Sequence, residues 1–260
     1  MLERERQDMI VARLAESPYA PVGELVSITG ASEATIRRDL TKLQRAGLLK
    51  RIRGGAQLAE RTETSPILGE ASLSERTIQN QDSKRRIAEF AASLCDDGEL
   101  IFVDGGSTTF LMAPLLRMKR LRVVTNSFAL AAALAGTLAG AKSCTVLLPG
   151  GILYPDSGLI LDPFDNSFYE NFEADTAFLG AGAVTAKGIE NRDIRVIREE
   201  RRMIAHARRS IVLADSDKFT RTGSLLLCPL DHITMIITDS GIPERARQAL
   251  LSANVELVVV

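Results

Sequence analysis

The chain has 260 residues, 45% hydrophobic and 25% charged, with 32 basic and 33 acidic side chains and a formal net charge of −1. That balance fits a globular chain long enough for two modest domains, and it excludes a disordered, collagen-like or uniformly polybasic protein. Cys95, Cys144 and Cys228 are odd in number and far apart with no C-x-x-C, so neither a disulfide framework nor a zinc site is expected.

From the start, residues 3–16 alternate charge with Met9, Ile10 and Leu14 and predict a first helix. Pro21 opens a second through Leu25, Val26 and Ile28, and Gly30 supplies the short turn into a third. That third helix, Ser32 to about Ala46, places Ile36, Leu40 and Leu43 at i, i+4 and i+7 as one buried stripe. Thr35, Arg38, Lys42 and Arg45 fall opposite. Ser32 reads as the N-cap and Gly47 as a left-handed stop. Leu48 to Arg53 has strand character, and Gly54-Gly55 permits a tight turn whose backbone can lie close to a phosphate.

Residues 31–55 hold seven bases and two acids, so a net +5 is placed here in a chain near −1. A basic helix that starts with short polar residues suits the DNA major groove, where its first turn meets base edges and Arg or Lys meets phosphate. On the helix alone a solvated face is an equal reading. The basic hairpin behind it makes the pattern a winged helix-turn-helix, residues 1–57, with Ser32, Thr35, Arg37, Arg38, Lys42, Arg51, Arg53, Gly54 and Gly55 as the DNA-binding candidates.

Ser32, the T-I-R-R-D-L run from Thr35 to Leu40, Leu43, Gly47 to Leu49, and Arg51 to Ala56 together resemble the DeoR/GlpR-type bacterial repressors. Arg53 stands where members often have His. The resemblance implies a repressor of a carbohydrate catabolic operon acting on double-stranded operator DNA.

Residues 58–82 lose periodicity and contain Pro66 and Gly69, which reads as a linker; S-L-S-E-R at 72–76 resembles the segment by which these repressors enter their second domain. From residue 83 to 260 helices and short apolar strands alternate. Helices are expected at Lys84–Leu94, Thr108–Leu116, 128–138, Pro163–Phe172, 194–207 and after Pro243. Strands are expected at Leu100–Val103, Arg122–Thr125, Thr145–Leu148, Ala177–Leu179, Ile211–Leu213, Met235–Ile237 and Val255–Val260. Such alternation predicts an α/β domain with a mostly parallel sheet covered on both faces. Open sheets of this kind bind ligands at the carboxyl ends of their strands.

Several polar loops fall at those ends. Asp104-Gly105-Gly106-Ser107-Thr108 joins a strand to a helix start, where converging N–H groups, hydroxyls and the helix dipole favour an anion. Alone the motif is weak, and a plain tight turn accounts for such a sequence about a third of the time. Thr125-Asn126-Ser127, Gly150-Gly151 and Gly180 follow three further strands, and four such ends in one sheet read as a binding rim. The second domain of the repressor family resembles ribose-5-phosphate isomerase and binds phosphorylated sugars, which implies the same loops here as the effector site, with Lys218 as the phosphate's point charge. The family's acidic residue falls at Glu200 or its neighbour Glu199.

Gly136 to Ser143 imitates a phosphate-binding Walker loop without its spacing, and His206 and His232 have no metal-ligand spacing. No catalytic residue, metal or cofactor is therefore expected. The apolar run from Phe128 to Ala141, about fourteen residues, is too short to span a bilayer, and the charged N-terminus does not fit a signal peptide. The expected location is the cytoplasm and the expected state a homo-oligomer, dimer or tetramer. Two readings stand: a DNA-binding regulator whose operator affinity is changed by a phosphorylated sugar, and a sugar-phosphate isomerase-like enzyme with a helical N-terminal appendage.

Overall fold

The computed structural model describes residues 3–16, 19–45, 49–52, 54–58, 72–135, 144–162, 168–223 and 225–260. Gly47, Arg53, most of the expected linker, the Walker-like stretch and the start of the polar-aromatic helix lie outside these residues. The chain divides into two units, Met1–Ser65 and Pro66–Val260.

The first unit holds α1 (Glu3–Glu16), β1 (Tyr19–Pro21), α2 (Val22–Thr29), α3 (Glu33–Arg45), β2 (Leu49–Ile52) and β3 (Gly55–Leu58). The stripe read from α3 is its core: Ile36, Leu40 and Leu43 are buried together with Ile10, Leu14, Leu25 and Leu49. Burial of each such side chain contributes about 1.5–3 kcal/mol, which is what holds so small a unit together. Ser32 caps α3 by accepting the Thr35 N–H at 3.3 Å, and Gly30 closes α2 at φ 66°. The acid of the T-I-R-R-D-L run turns inward. Asp39 is 2% exposed and takes Arg6 Nε at 2.6 Å and Gln7 Nε2 at 3.3 Å, fastening α3 to α1.

The wing is a three-stranded antiparallel sheet in the order β1-β3-β2. Its first strand was not expected, since three residues that include a proline show no alternation. Gly54 makes the turn at φ 86°, and its carbonyl accepts the Val22 N–H at 3.0 Å.

The second unit is built on seven parallel strands, β4 (Leu100–Val103), β5 (Arg122–Thr125), β6 (Thr145–Leu147), β9 (Thr176–Leu179), β12 (Ser210–Leu213), β14 (Met235–Thr238) and β15 (Glu256–Val259), in the order β15-β14-β12-β9-β4-β5-β6. Alternate side chains of one strand enter opposite cores, as the pleat requires. Phe102, Val124, Leu179, Val212 and Ile236 face one core; Ile101, Val103, Val123, Phe178, Ile211 and Ile237 face the other. Helices α5 (Gln81–Ser93), α8 (Phe128–Ala135), α9 (Ile194–Ala205) and α10 (Glu244–Ser252) supply the covering residues.

Three expectations need correction. The helix placed at 108–116 is two single turns, α6 (Ser107–Phe110) and α7 (Ala113–Leu116), with Pro114 early in the second. The described part of the helix placed at 163–172 is one 3-10 turn, Tyr169–Asn171. Tyr169 is 1% exposed and meets Phe102 and Phe168 edge to face, each at 5.5 Å, so aromatic packing sets the local path. Finally, the supposed linker carries α4 (Leu73–Ile78), opened by a reciprocal capping box: Ser72 Oγ accepts the Glu75 N–H at 3.3 Å and Glu75 Oε2 accepts the Ser72 N–H at 2.8 Å. Two antiparallel additions were also unforeseen, the hairpin β7 (Ile152–Tyr154) and β8 (Leu159–Leu161), and the small sheet of β10 (Ala183–Thr185), β11 (Gly188–Asn191) and β13 (Leu225–Cys228). Among the described residues no helix is long and apolar enough to cross a membrane.

Candidate functional site

In the first unit, Ser32, Arg37, Arg38, Lys42, Lys50 and Arg51 are exposed on α3 and the wing, and Thr35 is half-buried. Arg37 is held by Glu33 one turn back, Nε to Oε1 2.9 Å. Arg51 Nη1 donates to Thr41 Oγ1 at 2.8 Å and so ties the wing to α3. Gly54 is exposed at the turn. Gly55 is buried, and a Cβ there would run into the carbonyl of Ala20 and the Cα of Pro21. It serves the packing of β1 on β3 and offers no surface to a phosphate, contrary to the sequence reading.

In the second unit one pocket opens at the carboxyl ends of β4, β9 and β12. It is lined by Asp104, Gly105, Gly106, Ser107, Thr108, Gly180, Glu200 and Lys218, with Arg76, Leu159, Ala181, Gly182, Asn191, Val196 and Leu213. Strands β4 and β9 are neighbours although their chain order departs in opposite directions, so the pocket sits at the topological switch of the sheet.

Asp104 organises the rim. Its buried carboxylate accepts Asn126 Nδ2 at 3.1 Å and the Gly180 N–H at 3.4 Å, joining the ends of β5, β4 and β9. Asn126 Oδ1 accepts the Gly105 N–H at 2.8 Å, and Thr109 Oγ1 accepts that of Gly106 at 2.8 Å. These two N–H groups are therefore engaged internally. An anion would meet the hydroxyls of Ser107 and Thr108 and the first-turn N–H groups that no helix satisfies by itself. With α6 only one turn long, the helix dipole contributes less than the sequence reading supposed. Burial pushes the Asp104 carboxyl above its ordinary range, opposed by the hydrogen bonds from Asn126, Gly105 and Gly180 and by Glu200.

Geometry separates the two glutamates. Glu200 lines the pocket with both oxygens held by Asn191 Nδ2, at 3.0 and 3.2 Å. Glu199 turns away, accepting the Asp162 N–H at 3.4 Å beside Arg202 Nη1 at 3.9 Å; burial raises its carboxyl.

Thr125, Asn126, Ser127, Gly150 and Gly151 do not line the pocket. Asn126 acts from behind the loop as described. Thr125 Oγ1 accepts the Ser127 N–H at 3.0 Å, and Ser127 Oγ accepts the Leu130 N–H at 3.1 Å at the start of α8. Gly151, at φ 146°, lets β7 lie against the Leu161 backbone where a Cβ would collide.

Three contributors were missed. Arg76 comes from α4, inside the stretch read as linker. Asn191 comes from β11, an element with no strong sequence pattern. Lys84 reads as a solvated lysine in D-S-K-R-R but is 3% exposed. Its Nζ donates to the Arg76 carbonyl at 2.5 Å and lies 3.8 Å from Asp215 Oδ2, beneath the 3-10 turn that carries Lys218. Burial lowers its basicity and Asp215 works against that shift. The pocket thus sets two cations, Arg76 and Lys218, and two hydroxyls against two carboxyls. Such a lining can bind one molecule that carries both a phosphate and several hydroxyls.

The family model described as DeoR-like helix-turn-helix domain matches residues 6–62, and that described as DeoR C terminal sensor domain matches residues 79–240. The putative aga operon transcriptional repressor of Escherichia coli O157:H7 is 33% identical over 259 residues, 98% of this chain and 93% of its own. The HTH-type transcriptional regulator UlaR of Shigella dysenteriae serotype 1 is 30% identical over 262 residues, the whole of both chains. Among solved structures, ribose 5-phosphate isomerase A of Methanocaldococcus jannaschii superposes on 54% of this chain and 55% of its own, with TM-score 0.37 and 19% identity.

Proposed function

This chain belongs to the DeoR family of helix-turn-helix transcriptional regulators, and from that premise we propose that a phosphorylated sugar bound at the carboxyl ends of β4, β9 and β12 lowers its affinity for operator DNA. The chain is a DNA-binding regulator and not an enzyme; the isomerase-like alternative falls, because the relatives that match along its whole length are named as transcriptional regulators and repressors.

The observation that carries the effector reading is the polarity of the pocket. Arg76, Lys218, Ser107 and Thr108 offer donors for a phosphate, while Glu200, fixed by Asn191, and Asp104 offer acceptors for sugar hydroxyls. The names of the relatives, an aga operon repressor among them, support a carbohydrate operon as the target. We take residues 1–57 as the DNA reader, with base edges met by Ser32, Thr35, Arg38 and Lys42 and phosphates by Arg37, Arg51, Arg53 and the Gly54 turn. We place the start of the sensor at α4, because that helix carries Arg76 into the pocket. A dimer or tetramer in the cytoplasm completes the reading, since paired recognition helices supply operator specificity.

The test is a titration of the DNA upstream of the regulated operon at fixed salt, with and without a panel of pentose and hexose phosphates, for the natural protein and Lys218→Ala. The expected coupling is about 1–3 kcal/mol, roughly a 5- to 150-fold loss of operator affinity, with DNA binding by Lys218→Ala intact but unresponsive. An unresponsive natural protein across the panel, or a mutant that responds identically, refutes the site.

A further inference from the structure

The β7–β8 hairpin touches more of the pocket's surroundings than a surface excursion needs to. Just after its turn, Leu159 lies so close over Gly105 that a Cβ on that glycine would overlap the Leu159 side chain, and Leu159 itself lines the pocket. On either side of Leu159 the hairpin is bonded to the segment between β5 and α8: Ile160 N–H donates to the Asn126 carbonyl at 2.7 Å, and the Gly158 carbonyl accepts the N–H of Phe128, the first residue of α8, at 2.8 Å. A separate apolar cluster of Tyr154, Leu159, Leu161 and Val196 seats it on α9, the helix that presents Glu200. There the Arg195 guanidinium stacks 4.7 Å over the Tyr154 ring while bound to the fully buried Asp193 at 2.6 Å.

The turn of the hairpin, residues 155–158, which leads directly into Leu159, meets α4. The Asp156 carbonyl accepts the Leu73 N–H at 2.9 Å, the first N–H of that helix. Gly158, at φ 70°, brings the turn against Leu73 and Ala129 so tightly that an added Cβ would stand 3.4 and 3.3 Å from their side chains. Helix α4 is the first described element of the second unit in chain order, and it carries Arg76 into the pocket.

We infer that the β7–β8 hairpin is a strap that couples occupancy of the pocket, sensed at Leu159, to the position of α4, held by the Leu73–Asp156 backbone bond. A ligand that pushes on Leu159 or draws in Glu200 moves a hairpin already fixed to α9 and to the segment between β5 and α8. Its remaining freedom is delivered to the start of α4, where the chain arrives from the DNA reader. The inference rests on the pocket being the effector site, but the mechanical link exists without a ligand and must run in both directions.

Hydrogen exchange of the full chain, read segment by segment by mass spectrometry, tests it. Leu73→Pro removes the N–H together with the leucine side chain, at a helical position where proline fits, and Leu73→Ala removes the side chain but keeps the N–H, so the difference between them isolates the bond. In Leu73→Pro, segments 105–110 and 152–161 are expected to exchange about tenfold faster, the factor that corresponds to about 1.4 kcal/mol. Segments 235–238 and 256–259 should stay at their natural rates, and Leu73→Ala should show the smaller effect. Leu159→Ala, entering from the pocket side, should accelerate 73–78. Acceleration confined to α4 in Leu73→Pro, acceleration of every segment alike, or an unmoved 73–78 in Leu159→Ala overturns the strap. Should Leu73→Pro fail to fold, Leu159→Ala decides alone. Inorganic phosphate at millimolar concentration should slow 105–110 and 73–78 in the natural protein but only 105–110 in Leu73→Pro; equal slowing of 73–78 in both overturns the strap. If phosphate leaves 105–110 unchanged, the reading of the pocket as a phosphate site falls, while the comparison of variants without phosphate still decides the strap.

Discussion

Replacing Asp39 by alanine separates the two jobs that the T-I-R-R-D-L run does. Asp39 is 2% exposed and receives Arg6 Nε at 2.6 Å and Gln7 Nε2 at 3.3 Å, and the Arg6 side chain is itself only 13% exposed. Removing one partner of a fully buried ion pair costs about 3–5 kcal/mol, because the remaining charge stays desolvated, whereas an exposed pair contributes about 1 kcal/mol or less. Water still reaches part of Arg6, so Asp39→Ala should cost about 3 kcal/mol, toward the low end of the buried range. A unit of this size has a stability of roughly 3–10 kcal/mol in all, so the loss is between a third and the whole. For a domain of 60–100 residues each kcal/mol moves the melting temperature by about 4–8 °C. Calorimetry of the full chain should therefore show the transition of the first unit falling by roughly 12–24 °C, with that of the second unit unmoved. Asp39→Asn, which keeps an acceptor, should recover part of the difference. Below the lowered transition operator affinity should be nearly natural. Unchanged melting combined with lost DNA binding would show that Asp39 acts at the DNA and that the inward reading of its side chain is wrong.

Other perturbations follow from the same geometry. Arg37→Ala should weaken all DNA sequences alike and flatten the salt dependence by about one unit, while Arg38→Ala should lose roughly 1–3 kcal/mol of preference at one base pair; competition binding across a salt series distinguishes them. Gly55→Ala must push the Ala20 and Pro21 backbone aside, so denaturant unfolding should show the first unit weakened by about 2–3 kcal/mol, the ordinary cost of overpacking. Lys84 carries a pH signature. Its native value is lowered from 10.5, chiefly by burial, so the unfolded chain holds that proton more tightly, and this residue's contribution to stability rises with pH through the window between the lowered value and 10.5. Lys84→Met should flatten that alkaline rise in urea midpoints; an identical slope in both proteins would place the titration elsewhere.

The parts of the fold that were legible in the sequence are those written in long apolar patterns. The stripe of Ile36, Leu40 and Leu43 and the strands around Phe102, Val123, Phe178, Val212 and Ile236 are buried as their periodicity required. The glycine and hydroxyl loop after β4 was legible as a strand-end loop, and it lines the pocket, although a tight turn alone would account for the same residues. What stayed hidden depends on distant partners. Arg76 and Lys84 look like solvated bases until α4 and α5 bring them to Asp215 and the pocket rim, and α4 announced itself only through a capping box too short to show periodicity. Conversely Thr125, Ser127 and Gly151 have the chemistry of a ligand rim, but their groups are used by a turn, a helix start and a close strand approach. Local residue type cannot tell a hydroxyl that caps from one that binds.

The order of strands has a consequence for the life of the chain before it is a regulator. Asp104 and the Gly180 that bonds it lie 76 residues apart, and β4 has β9 on one side, so half of its ladder waits for residues that do not yet exist when β4, β5 and β6 have been made. At about 5–20 residues per second of synthesis, that edge, with Ile101, Phe102 and Val103 all destined to be fully buried, stands open for roughly 4–15 s. Over that interval this edge of β4 has no strand to pair with. The pocket cannot form until the wait ends, so any ligand that binds it also favours the completed sheet over its unfinished forms. On the proposed function, such a ligand acts on the amount of regulator as well as on its grip on DNA.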